Sequence, residues 1–201
     1  MGQKGTMKYP YVCSRKGRFM YKDFPAQQNN TIFDYFPDFF TEKAFDTVIE
    51  IGTSEGGFSL YIYELSLEHG FSFCTYDIHN KLPKDPPFDF RQKSAWDGDG
   101  MNEIIEGIKT GNKTLLLVDG GDKIKEFNLY APYLKDGDYI MTHDYATDRR
   151  FHEKYMRENI WEWCENIDED LQYSENGLTK CPDFSGEFLA VAWSCFTRVG
   201  L

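Results

Sequence analysis

Residues 45–58 constrain the fold of this chain more than any other stretch. Val48, Ile49 and Ile51 are apolar and β-branched, as expected of a strand covered on both faces. Gly52, Gly56 and Gly57 follow directly, and glycines let backbone approach a ligand where a Cβ would collide. A helix is then expected over 56–68, with its free N–H groups aimed at whatever occupies the turn. Glu50 closes the strand. A carboxylate there is of little use to a phosphate and suits a cationic amino-acid ligand.

The same strand-then-helix pattern repeats downstream. A strand over 72–78 ends in Asp77, and Gly70 before it ends the preceding helix. A weaker strand is expected over 88–95. A helix over 100–109 carries Met101, Ile104, Ile105 and Ile108 on one face. A strand over 114–119 ends in Asp119, followed by Gly120 and Gly121. A helix over 125–134 leads to a strand over 139–142, closed by His143 and Asp144. A long helix over 150–166, with Trp161 and Trp163, and a final strand over 188–199 complete the reading. Upstream, Asn30 and Thr31 are expected to cap a helix over 32–41, which Pro37 weakens or bends. Its aromatic residues, Phe33, Tyr35, Phe36, Phe39 and Phe40, are expected to pack against a core.

Strands alternating with helices and a terminal strand pair define an α/β sheet, parallel with right-handed crossovers and one antiparallel member near its edge. Ligands of such sheets sit outside the C-terminal ends of the strands. Glu50, Asp77, Asp119 and Asp144 are thus expected to face one crevice.

The charge is uneven. Lys4, Lys8, Arg15, Lys16, Arg18 and Lys22 place +6 on residues 1–22, which leaves −17 on the rest of a chain of net charge −11. We therefore expect a basic N-terminal arm over 1–29 and a single domain over 30–201. An acidic body is not that of a nucleic-acid-binding protein. No apolar run is long enough for a membrane span, and residues near the start have no apolar signal-peptide core. Five cysteines at wide spacings without a C-x-x-C pair indicate reduced thiols, and with them a cytoplasmic protein. The partner expected is a small-molecule acceptor; the sequence leaves the oligomeric state open, a homodimer included.

The turn reads Glu50-x-Gly52-x-x-x-Gly56, and Asp77 follows Gly52 by 25 residues, where an acid grips ribose hydroxyls in dinucleotide and nucleoside folds. This pattern resembles the first motif of class I S-adenosylmethionine (SAM)-dependent methyltransferases. The resemblance implies a Rossmann-like methyltransferase fold: seven strands, mostly parallel, in the order 3-2-1-4-5-7-6, the last antiparallel, with helices on both faces. It also implies that the loop, with Glu50, Gly52, Thr53 and Gly56, wraps the methionine part of the cofactor. Asp77 would hold the ribose with Ile78 beside it, and Ser94 is a candidate for the adenine contact. Trp96 is open between stacking on the base and packing half-buried.

The block from Val118-Asp119-Gly120-Gly121-Asp122-Lys123 through Gly137 to Thr142-His143-Asp144 is similar to the fourth-to-fifth-strand block of metal-dependent O-methyltransferases. It is closer to the cephalosporin-hydroxylase-like group than to the catechol type. Carried over, Asp119, His143 and Asp144 would hold Mg²⁺ or another divalent metal, and Asp119 would also approach the cofactor. A histidine departs from the oxygen ligands usual there. It favours a softer ion, or no metal and a role for His143 as general base. Lys123 stands next to a position, Asp122, where the family carries Lys or His, and is a second catalytic candidate. The plain alternative is a pair of solvated loop acids beside a hydrogen-bonded histidine.

The function implied is methyl transfer from SAM to an oxygen of a small molecule or sugar, with or without a metal. The alternatives are a catalytically inactive SAM- or nucleotide-binding protein of the same fold and a nucleotide-cofactor oxidoreductase. The oxidoreductase is disfavoured because Ser54 stands where G-x-G-x-x-G needs its second glycine.

Overall fold

The structure, a computed structural model, describes residues 18–200. Residues 1–17, which hold most of the expected basic arm, lie outside the described residues.

The chain enters through an antiparallel hairpin, β1 (Arg18–Tyr21) and β2 (Phe24–Gln27). Residues 18–29, assigned to the arm in the sequence reading, are thus part of the packed body. The hairpin lies on the start of α2 (Gly57–His69), where a Cβ at Gly57 would come within 2.5 Å of the Pro25 carbonyl oxygen. Tyr21 is buried and donates its hydroxyl to Glu64 of that helix at 2.6 Å.

Helix α1 (Ile32–Lys43) forms where expected, with Thr31 at its N-cap position but no side chain capping its first amides. The Asn29 side-chain oxygen accepts from the Thr31 amide and hydroxyl at 3.1 and 2.7 Å. Pro37 does not end the helix. It lacks the N–H that would reach the Phe33 carbonyl, and the Tyr61 hydroxyl donates to that oxygen instead, at 3.3 Å. Phe33, Phe36, Phe39 and Phe40 are fully buried, so the aromatic cluster is core packing.

The main sheet contains β3 (Thr47–Ile51), β4 (Ser72–Asp77), β5 (Asp89–Gln92), β6 (Thr114–Val118), β7 (Tyr139–Thr142), β10 (Leu178–Lys180) and β11 (Phe196–Arg198). A separate short parallel pair, β8 (Tyr145–Ala146) and β9 (Asn166–Ile167), lies outside it. The sheet order is β5-β4-β3-β6-β7-β11-β10, with β11 antiparallel to both neighbours. Counted from the glycine-turn strand, this is the expected 3-2-1-4-5-7-6. Side chains alternate between two cores. Val48, Leu115, Leu117 and Met141 pack with α1 and α2. Ile49, Ile51, Leu116 and Val118 meet the opposite helices, α3 (Gly98–Thr110) and α4 (Lys123–Tyr130). Burial on both faces is why these strands read as near-continuous apolar runs.

Two expectations fail. No helix spans 150–166. A short helical turn, α5 (Arg149–Phe151), runs into one π turn at His152–Met156. The Met156 carbonyl then accepts from the amides of Asn159, Ile160 and Trp161, which folds the chain back and buries Trp161. Nor is 188–199 one strand. Helix α6 (Ser185–Leu189) fills its start, Ala192 takes a left-handed φ of +62°, and pairing begins only at Phe196. Strand β10 lies in a segment the sequence left as loop. The third strand is shorter than expected, and α4 starts two residues early and gives way to a 3-10 turn at Pro132.

The buried Asp138 ties β6 to β7, its carboxylate accepting from the amides of Thr114 and Lys135, each at 2.7 Å. Asp138→Ala leaves the Thr114 amide without a partner and should cost about 2 kcal/mol in urea unfolding, with an unchanged m value.

Candidate active site

The crevice opens where the strand order reverses, between β3 and β6, and the turn at Gly52 divides it in two. Gly52 has φ +102°, and a Cβ there would lie 2.1 Å from the Asp119 carbonyl oxygen. Only glycine lets the turn after β3 pass this close to the end of β6. Gly52, Ser54 and Asp119 line both lobes.

One lobe, of about 500 Å³, is mainly apolar and includes Tyr76, Asp77, Ile78, Ser94, Ala95 and Trp96. Asp77 closes β4 as expected, and its two oxygens accept the amides of Ser54 at 2.8 Å and His79 at 2.9 Å. A carboxylate has about four acceptor positions, so two remain for a ligand. The Ser94 hydroxyl accepts the Trp96 amide at 3.1 Å. The Trp96 indole donates to Glu126 at 2.9 Å, under the ammonium of Lys125. Glu126 went unnoticed in the sequence. It lines this lobe and is 1% exposed, and burial raises its pKa against the hydrogen bond from Trp96.

The other lobe, of about 390 Å³, is polar. Thr53, Gly56, Asp119, Lys123, His143 and Asp144 line it with Trp161, Trp163, Glu165 and the hairpin residues Pro25 to Gln28. Asp119, His143 and Asp144 meet here, with a possible ligand atom from each within 4.8 Å of the others. His143 and Asp144 are not solvated loop groups, being 2% and 7% exposed, and Asp119 is half-buried beside them. Asp144 holds a left-handed φ of +54°, uncommon for a residue with a Cβ. That corner is fixed by the Glu165 amide, which donates to the Asp144 carbonyl at 2.8 Å, and by the Asn166 side chain, which donates to the His143 carbonyl at 2.7 Å.

His143 lies between two indoles, Trp193 stacked at 4.9 Å and Trp161 tilted at 4.9 Å. Its Nδ1 faces Asp119 Oδ1 at 3.1 Å, so Nδ1 carries the proton, and Nε2 is buried without a protein partner. Burial, the largest influence, favours the neutral ring, but Asp119 and Asp144 outweigh it and hold the His143 pKa above its ordinary value. Gln28 links Trp193 to Asp119: its oxygen accepts the indole N–H at 2.9 Å and its nitrogen donates to Asp119 Oδ2 at 2.7 Å. Those fixed partners settle its amide orientation.

Lys123 lies at the centre of the acids. Its Nζ is 2.9 Å from Asp144 Oδ2, 2.8 Å from Glu165 Oε2 and 3.6 Å from Asp119 Oδ1, and it donates to the Gly120 carbonyl at 3.2 Å. Burial is again the largest influence and opposes its charge, but the carboxylates reverse the sign and keep it protonated. The second Asp144 oxygen accepts the Trp161 indole N–H. Each of the four oxygens of Asp119 and Asp144 thus already accepts a protein donor. The donor set assembles, but the Lys123 ammonium holds the point among them, and a divalent ion there would have to displace it.

Glu50 lies elsewhere. It lines neither lobe, is 1% exposed beneath the turn, and accepts the Ser59 hydroxyl. Burial lifts its pKa to about 8; hydrogen bonds from Ser59 and Thr75 oppose the shift, and Asp119 and Asp77 add to it. At neutral pH it is protonated and supports the turn from behind. The aromatic stretch 32–40 lies in the core, and Arg149 turns to the Cys164 carbonyl. The cover comes from the hairpin and from residues 161–165. Gln28 stands in an unpatterned segment and Glu165 in the stretch read as a helix, and neither gave a signal in the sequence.

No protein-family model matches the chain. No curated protein matches it either. Solved structures do. The apo form of CmcI aligns with a TM-score of 0.61 at 13% identity, over 84% of this chain and 71% of that one. A Mg-SAM form of CmcI aligns at 0.57, 13% identity, 83% and 70%. A Staphylococcus aureus protein described as a caffeoyl-CoA O-methyltransferase aligns at 0.54, 13% identity, 89% and 87%. The fold is therefore the Rossmann-like methyltransferase fold. Among the described residues no helix is long and apolar enough to cross a membrane.

A folded-state pKa near 8 against about 4.5 for a free glutamate means that Glu50 burial is fully tolerated below pH 4.5 and is lost as a stabilising term as pH rises through 8. Glu50→Gln should remove this dependence. The stability of wild type minus variant, from urea midpoints between pH 5 and 9, should fall with rising pH by a few kcal/mol.

Proposed function

We propose that this protein is a SAM-dependent methyltransferase that transfers a methyl group to an oxygen of a small-molecule acceptor, a sugar hydroxyl included. The observation that carries this reading is the divided crevice, with one apolar lobe and one acidic lobe meeting across Gly52. Each lobe is within the range of roughly 300–1,000 Å³ for small-molecule sites. A ligand with a heteroaromatic end, a diol and a cationic amino-acid end suits that division better than a dinucleotide, whose pyrophosphate would meet Asp119 and Asp144.

In this reading the adenine occupies the lobe of Ile78, Ser94 and Trp96, and the spare acceptor positions of Asp77 bind the ribose hydroxyls. Gly52, Thr53 and Gly56 cradle the amino-acid end. The sulfonium faces Asp119, whose negative charge favours it. CmcI in its Mg-SAM form and the S. aureus protein support the class of reaction by fold. Most of the rate enhancement comes from holding sulfonium and nucleophile in line. His143 is the group placed to take the acceptor's proton, with Nδ1 fixed on Asp119 and Nε2 uncommitted. Every donor hydrogen of Lys123 is engaged, which suits it to organising carboxylates rather than to moving protons.

Calorimetry with SAM, S-adenosylhomocysteine and NADH tests the assignment. Saturable binding of the first two and none of NADH is expected. Asp77→Ala and Gly52→Val should each abolish it, whereas Asp77→Asn, which keeps acceptor capacity, should weaken it less. Failure of SAM to bind the wild type would remove the reading. His143→Gln should retain SAM binding while S-adenosylhomocysteine production with hydroxyl acceptors falls by about 10²-fold or more.

A further inference from the structure

The acid cluster of the polar lobe raises a question that the reaction class does not answer, namely what balances its charge. Asp119, Asp144 and Glu165 converge on one buried point, and that point is held by the Lys123 ammonium. The lysine side chain is only 6% exposed, so it is not a surface group that happens to lean inward.

Three observations indicate that the placement is built in. First, Lys123 is the first residue of α4, which Asp122 caps by accepting the Lys125 amide at 3.0 Å. A cation is disfavoured at a helix N-terminus by the peptide dipoles, so the carboxylates have to supply what holds it there. Second, the three ammonium hydrogens have three acceptors within hydrogen-bond reach: Asp144, Glu165 and the Gly120 carbonyl, at 2.9, 2.8 and 3.2 Å. Third, the oxygens that do not face Lys123 are used as well, by Gln28 on Asp119 and by Trp161 on Asp144. A divalent ion at this point would need two or more of these same oxygens at about 2.0–2.2 Å and would have to expel the ammonium.

We infer that Lys123 is the resident cation of this centre, a positioning residue that holds Asp119 and Asp144 where a divalent ion would otherwise hold them, so that the chain needs no metal ion. This rests on the methyltransferase reading for its purpose, because Asp119 in turn orients His143. The occupancy of the centre can nevertheless be measured without any acceptor.

The test is Mn²⁺ binding to the full-length chain, followed by electron paramagnetic resonance with and without saturating SAM. The wild type should bind no stoichiometric Mn²⁺. Lys123→Met keeps the buried stem and removes the charge. It should bind one Mn²⁺ about tenfold or more tighter than wild type, and Mn²⁺ should raise its thermal midpoint but not that of wild type. Lys123→Arg should behave as wild type. Adding Asp144→Asn to Lys123→Met should abolish the gain. One Mn²⁺ bound to wild type as tightly as to Lys123→Met, or wild-type binding lost in Asp144→Asn, overturns the inference. The wild-type measurement decides alone if Lys123→Met does not fold. SAM calorimetry on the same samples separates the two claims: absent SAM binding removes the methyltransferase reading and leaves the Mn²⁺ result standing.

Discussion

The contact on which the structure depends is the passage of the Gly52 backbone against the carbonyl of Asp119. It occurs where the strand order reverses between β3 and β6: from β3 the chain first builds outward through β4 and β5, then returns through α3 to lay β6 on the other side. The two strands that flank this point therefore send their following loops apart, and a crevice is left between them. A side chain at position 52 would push those loops apart or block the gap. With glycine there, one turn contributes to both lobes and brings the apolar one within reach of the acidic one.

The acidic lobe shows how a protein draws carboxylates partly out of water. Isolated buried charges are costly, and pairing offsets that cost only if the remaining lone pairs are satisfied. Here Lys123 sits among three acids, Gln28 and Trp161 fill the remaining oxygens of Asp119 and Asp144, and His143 adds a further donor. Glu50 follows the opposite course. Without a cationic partner it takes up a proton, and it contributes shape and a hydrogen bond in place of charge. The acid that first marked this turn in the sequence is thus one that burial drives toward its neutral form.

The parts legible in the sequence are those whose signal is local. Buried strands announce themselves by β-branched runs, and of the four acids at their ends Asp77, Asp119 and Asp144 fall in the crevice because parallel strands place all their C-termini on one side. Asp77, Asp119, His143 and Asp144 were found that way. The parts that were not legible depend on contacts distant in sequence. Residues 150–166 have helix-forming composition, yet Met156 folds the chain back so that Trp161 reaches Asp144. Residues 188–199 form an apolar run, which cannot distinguish strand from buried helix by itself; Ala192 and Trp193 break it in order to stack an indole on His143. Gln28 is 91 residues from its partner Asp119, and nothing in its neighbourhood marks it.

The account stands on one ligand spanning both lobes across Gly52. A crystal structure of the chain with S-adenosylhomocysteine tests this most directly. The account predicts the adenine beside Trp96, the ribose hydroxyls on Asp77 and the amino-acid end over Thr53 and Gly56. An adenosine group lying in the lobe of Trp163, or a ligand confined to one lobe with Gly52 making no contact, would contradict it.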